Sequence, residues 1–193
     1  MARPKEFDTE EALEKAIDLF WAKGFNACSM QDVVEGLGLS RSSIYETFGD
    51  KRQLFLASLK KYQQEGVEVM RHKLGATTDI QQTFKDMFYA FLPTGLNGYL
   101  KKSCFMVNAG IELAPHDPEI AALVQANTME MEEILSAAIQ KGQDAGQISR
   151  NLDAIALGRF IFSTLSGLYV STASGTTDRT KLEDIIKVAL SVL

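Results

Sequence analysis

The chain has 193 residues, 46% of them hydrophobic, which allows a sizeable core in one large domain or in a small domain fused to a medium one. Its formal net charge of −5 and pI of about 5.1 argue against a general polyanion binder but leave room for a local basic face. Two well-separated cysteines exclude a disulfide framework and suit a reducing cytosol, so a cytoplasmic protein is expected.

Four prolines and no alternating Val/Ile/Thr runs predict an all-helical fold. The first helix is expected to start from Thr9 as N-cap, with Glu10 and Glu11 at its positive end. Leu13, Ala16, Ile17 and Phe20 form one face, Lys23 lies in the last turn, and Gly24 stops the helix. Ser29 opens a short second helix with Asp32 in capping-box spacing, ended by the glycines at 36 and 38. Ser40 caps a third helix from Arg41 to about Phe48. Asp50 caps a long fourth helix from Lys51 towards His72. Further helices fit Ile80 to Leu92, the stretch CFMVNAGIEL with Cys104 in its first turn, Glu119 to Lys141, Asp153 to about Ser171, and Lys181 to the end. The apolar stretch IALGRFIFSTLSGLYV carries Arg159 at its centre, so no membrane span is expected there, nor an apolar signal region in MARPKEFDTEE.

Two short helices joined by a glycine turn and braced by a third have helix-turn-helix spacing. Val33, Val34, Leu37, Leu39, Ile44 and Phe48 can bury between the helices. Arg41, Ser42, Ser43, Tyr45, Glu46 and Thr47 are then left on or near the outer face. Small hydroxyl residues let helix-terminal N–H groups approach phosphate, Arg41 can reach a phosphate or a guanine edge, and Tyr45 can bond a phosphate. Glu46 either accepts from a cytosine N4 or pairs with a basic neighbour. Arg3 and Lys5, with Arg41, Lys51 and Arg52, are expected on one surface, so that local field rather than net charge sets phosphate affinity.

Gly24-Phe25 followed by SMQDVVEGLGLSRSSIYETFGDKRQLF closely resembles the amino-terminal DNA-binding segment of TetR/AcrR-family transcriptional regulators. The likeness runs from Gly24 to Phe55, about a quarter of the chain, with many positions agreeing in order and spacing. Serine stands at 42 where the family often has Gly or Ala, and Glu46 replaces a basic or neutral residue. The resemblance implies an all-α protein. A three-helix DNA-binding domain over 1–62 would be joined by the long fourth helix to a ligand-binding and dimerisation domain over 63–193. It also implies a homodimeric repressor of a double-stranded DNA operator, with Ser29, Arg41, Ser42, Ser43, Tyr45, Glu46, Thr47 and Lys51 as DNA-binding positions. An activator on the same fold, or a helical protein-interaction module, is an alternative.

In the carboxyl-terminal part a pocket for an unknown small-molecule effector is expected. Its candidate lining is Phe84, Met87, Phe88, Phe91, Cys104, Phe105, Asn108, Glu112 and Met129, a mostly apolar set with a few polar fixing groups. Plain bundle core is the other reading of the same stripe. Cys104, after Lys101 and Lys102 and near a helix start, is a candidate sensing thiol, or else a small packed hydrophobe. Phe160, Leu165, Leu168, Ile186 and Leu190 exceed what one helix face needs and are read as a dimer interface, with an intrachain core as the alternative. Glu112, His116 and Asp117 can be drawn as a metal site, but Pro115 interrupts the helix, and neither a metal nor a cofactor is expected. No Ser-His-Asp order, phosphate loop or paired-cysteine motif supports catalysis.

Overall fold

The computed structural model describes residues 7–92, 104–175 and 178–193, and among them the chain forms nine helices and no strand. They are α1 (Thr9–Lys23), α2 (Met30–Leu37), α3 (Arg41–Phe48), α4 (Lys51–Ala76), α5 (Ile80–Tyr89), α6 (Phe105–Glu112), α7 (Pro118–Asp144), α8 (Ala154–Ala173) and α9 (Arg179–Ser191). Arg3, Lys5, Lys101 and Lys102 lie outside the described residues.

The caps set most starts. Ser29 and Asp32 form a reciprocal capping box, and Ser40, Asp50 and Asp153 each accept from a first-turn N–H as expected. Asp8 rather than Thr9 caps α1, because its carboxylate accepts from Glu10 N at 2.8 Å. Cys104 is the N-cap of α6, one position outside the helix, and makes no side-chain capping bond. α4 continues a turn past His72. Its terminal carbonyls are taken up by the Lys141 ammonium, which donates to Gly75 O at 3.1 Å and Thr77 O at 2.8 Å.

Two hydrophobic cores sit along α4. The first joins α1, α2, α3 and the early part of α4 to α6 and the start of α7: Phe20, Val33, Ile44, Phe55 and Leu59 pack with Phe105, Met106 and Ile120. The second joins the later part of α4 to α5, α7, α8 and α9 through Leu74, Phe84, Phe88, Leu135, Ile161 and Ile186. α4 is therefore shared, and α6 is packed onto the amino-terminal unit although it follows in the later part of the chain. α7 and α8 cross closely at Gly158, where a Cβ would stand 2.1 Å from Ser136 Oγ and 2.9 Å from Ser136 N. Gly158 thus serves packing within the chain.

Candidate DNA-binding surface and ligand cavity

The inner faces of α2 and α3 are spent on packing: Val33, Leu37 and Ile44 are buried in the first core, with Val34, Leu39 and Phe48 partly buried against it. The outer face of α3 presents Arg41, Ser42, Tyr45 and Glu46, all exposed, with Ser43 and Thr47 half-buried beside them. Ser40 Oγ accepts from Ser43 N at 3.1 Å and lies within hydrogen-bond distance of the Ser42 and Ser43 hydroxyls, at 2.9 and 2.8 Å. The Ser29 hydroxyl donates to Asp32 Oδ2 at 2.9 Å and accepts from Asp32 N at 3.1 Å, so it is already engaged at the α2 start.

The cations are distributed differently from the expectation. Lys51 is not directed at a partner outside. Its ammonium donates to Phe25 O at 2.8 Å and Cys28 O at 2.7 Å, and lies 4.2 Å from the centroid of the Phe25 ring. Arg52 grips Asp117 with two bonds of 2.7 and 2.8 Å and reaches Glu119 at 3.0 Å. Lys23 pairs with Asp32, and its bond, with those from Ser29, holds the Asp32 carboxyl at about 2, below the ordinary 3.8. Lys15, Lys60 and Lys61 also pair with glutamates. Among the described residues of the unit up to residue 61, Arg41 is the one Lys or Arg without an ion-pair or hydrogen-bond partner. Glu46, expected either on a base or on a basic neighbour, has no such neighbour among the described residues and lies on the same face.

The turn between α1 and α2 is held from both sides. Lys51 takes its carbonyls. Glu112, at the carboxyl end of α6, accepts from Phe25 N at 3.1 Å and Asn26 N at 2.7 Å. Gly24 makes room for this: its φ is +77°, and a Cβ there would lie 3.1 Å from Glu112 Oε2. Glu112 is therefore a clasp on the DNA-binding unit and not a lining residue of a pocket. Asp117 is committed to Arg52, whose bonds, ahead of those from Ile120 N and Glu119 N, hold its carboxyl at about 2. Glu112 and Asp117, two of the three residues that could be drawn as a metal site, are thus committed to different partners.

A cavity of about 670 Å³ opens between α4, α5, α6, α7 and α8, touching α1 through Trp21. Of the expected lining, Met87, Phe91 and Cys104 are on its wall. Phe84 and Phe88 are fully buried in the second core and Phe105 in the first; the apolar face that Phe84 and Phe88 share with Met87 and Phe91 is divided between core and cavity wall. Asn108 is half-buried off the wall, and Met129 is 63% exposed. On α7 the inward stripe is Val124, Asn127, Thr128, Met131 and Leu135, at helical spacing, which turns Met129 outward. Sequence reasoning missed Trp21, Tyr62, Met70, Lys73, Asn127 and Tyr169. For Tyr62, Met70, Lys73 and Asn127 the only signal was the i, i+3, i+4 register of α4 and α7; Trp21 on α1 and Tyr169 on α8 had none. Tyr62 Oη donates to Cys104 Sγ at 3.8 Å, and Trp21 packs edge-on against Tyr62 at 5.2 Å. Burial pushes the Tyr169 phenol up to about 12, with the Cys104 sulfur adding to it.

Leu165, Leu168 and Ile186 are buried in the chain's own second core, and Leu190 packs partly buried against it, so these are not outward residues. α8 and α9 each have two apolar faces, and the inner one is used by the protomer. Phe160 does face out, at 43% exposure, together with Ile155, Ile185 and Val188. α8 is long and apolar enough to cross a membrane by length and composition alone. Its inner side packs on α7, and Arg159 lies 3.5 Å from Glu132.

This arrangement is that of a helix-turn-helix transcriptional regulator. The family model for bacterial regulatory proteins of the tetR family matches residues 12–58, and that for the tetracyclin repressor-like C-terminal domain matches 84–187. The chain is 33% identical, over 100% of both chains, to the uncharacterized HTH-type transcriptional regulator YezE of Bacillus subtilis. It is 28% identical to the HTH-type transcriptional repressor ComR of Escherichia coli, over 99% of this chain and 90% of ComR. Its fold matches a cysteine mutant of the TetR family regulator CifR complexed with 26-bp double-strand operator DNA, with a TM-score of 0.78 and 22% identity over 98% of each chain. The chain belongs to the TetR family of bacterial regulatory proteins.

Proposed function

We propose that the protein is a cytoplasmic, homodimeric transcriptional repressor that leaves a pseudo-palindromic operator when a small molecule enters the cavity. The observation that carries this reading is the free Arg41 on the exposed face of α3, within a unit whose α1–α2 turn is clasped by a cavity-lining helix. In this reading residues 1–62 bind DNA and residues 63–193 bind the effector and the partner subunit. Arg41, Ser42, Tyr45 and Glu46 meet the major groove, with Ser29, Ser43 and Thr47 positioning the two helix starts against phosphate. Lys51 supports this surface from behind.

The partner subunit would cover Ile155, Phe160, Ile185 and Val188, giving a four-helix bundle from two copies of α8 and α9. An effector that favours one spacing of the two recognition helices would lower operator affinity, because half-site distance is fixed by the DNA. Cys104 on the cavity wall makes a thiol-reactive effector a specific version of this reading.

The test is binding of the purified protein to the DNA flanking its own coding region, at two salt concentrations, with and without thiol oxidant. Site-specific, salt-sensitive binding supports the regulator. Loss on oxidation that is absent in Cys104→Ser supports the thiol version. A reporter behind the bound site separates repressor from activator.

A further inference from the structure

We infer that the cavity takes an elongated apolar molecule with a singly charged anionic head, a carboxylate, seated at Lys73. The inference rests on reading this cavity as the effector site, and names the class of ligand it accepts.

The shape comes from α4. Its wall runs from Tyr62 through Gly66 and Met70 to Lys73, eleven residue steps, or about 16 Å of helix at 1.5 Å per residue. One end abuts Trp21, Tyr62 and Cys104, against the DNA-binding unit. The other end is Lys73, exposed near the end of α4. At about 670 Å³ the space falls within the range of small-molecule sites.

The charge comes from what lines it. Among the described residues, Lys73 is the one charged side chain on the wall and no Asp or Glu accompanies it. It has no ion-pair or hydrogen-bond partner among them, whereas its neighbour Arg71 is bonded to Glu130. An unpaired ammonium at the end of an apolar trough favours a ligand that brings one negative charge and repels a cation.

A second observation lies deeper. Asn127 is only 6% exposed, lines the cavity, and makes no hydrogen bond among the described residues. Its amide is not sealed in the core but opens onto the cavity, so it can take a group that hydrogen-bonds there. It gives the ligand a second polar contact that does not depend on charge.

The chain carries its own probe, since its single tryptophan, Trp21, is on the cavity wall. We would titrate the full-length protein with dodecanoate, dodecanol and dodecyltrimethylammonium below their aggregation limits and follow Trp21 fluorescence. Dodecanoate should bind about two- to fivefold more tightly than dodecanol, as expected for one exposed charge pair, and the ammonium compound weakest. Lys73→Gln, at an exposed position that folding does not need, should bring dodecanoate to the affinity of dodecanol. Asn127→Leu should shift the two equally. Gly66→Leu, whose side chain would point at Met131 from 3.8 Å, should block both. Equal affinity for acid and alcohol, or an acid preference that survives Lys73→Gln, would overturn the inference. The same samples are then added to operator DNA. Charge-selective binding that leaves the DNA complex intact keeps the ligand class and removes the effector-release reading instead.

Discussion

Glu112→Ala removes a carboxylate that holds two backbone N–H groups of the α1–α2 turn, at 2.7 and 3.1 Å. Hydrogen bonds to a charged group contribute about 1.5–3 kcal/mol each, but this pair is partly solvated, so about 2 kcal/mol in total is a fair expectation. For a chain of this length each kcal/mol moves the melting temperature by about 2–4 °C, giving a fall of about 4–8 °C. Calorimetry at fixed protein concentration measures it, because dimerisation would make the midpoint concentration-dependent. Glu112→Gln keeps one acceptor oxygen and should lose about half as much. The clasp also links α6, which lines the cavity at its other end, to the recognition unit. Glu112→Ala should therefore reduce the factor by which an effector weakens operator binding, a factor that in coupled systems is typically about 5–150. A melting temperature within about 1 °C of the parent and an unchanged effector response would refute the clasp.

Arg41→Ala should weaken operator binding about tenfold, leave the dimer intact, and reduce the salt slope of the binding constant by about one; a salt-controlled anisotropy titration measures both. Glu46→Ala should tighten binding to random DNA while eroding discrimination between operator and random sequence, read by competition titration. Val188→Glu places a charge on the exposed apolar face of α9 and should give monomers by light scattering with the helical spectrum unchanged. Arg52→Leu frees Asp117, whose carboxyl is now held at about 2 against an ordinary 3.8. A depressed carboxyl stabilises the fold above its unfolded value and loses that contribution as pH falls, so the parent should lose stability from pH 4 to 2 with a slope that the variant lacks, by denaturant titration.

Much of the fold is written locally. The caps at Ser29, Ser40, Asp50 and Asp153 are short polar side chains at helix starts, readable because the partner N–H lies two or three residues on. Thr9 misled only because Asp8, one residue earlier, is an equally good acceptor. The site is less legible because its geometry is long-range. Glu112 and Asn26 are 86 residues apart, and nothing in the local pattern of α6 announces the bond. Lys51 looked like a phosphate contact because lysines at helix starts are usually exposed; only the fold brings the carbonyls of Phe25 and Cys28 to it. Phe84 and Phe88 were assigned to the pocket from the same apolar face as Met87 and Phe91. Periodicity identifies the buried side of α5 but cannot divide it between core and cavity wall.

The charge question raised by an acidic chain has its answer in pairing. Lys15, Lys23, Arg52, Lys60 and Lys61 are neutralised by carboxylates, and Lys51 is turned onto carbonyls. These bonds fix the relation of α1, α4 and α7, but they withdraw positive field from the DNA-facing side. What remains on α3 is one guanidinium, one free carboxylate and a group of hydroxyls. Such a surface gains little from counterion release by itself, and Glu46 is repelled by phosphate wherever it is not accepting from a base. Affinity for arbitrary sequence is therefore held down by the same residues that would read a particular one. In the proposed dimer, discrimination would rest on how well two such helices fit two half-sites at once, and that is the quantity a ligand between α4 and α8 would change.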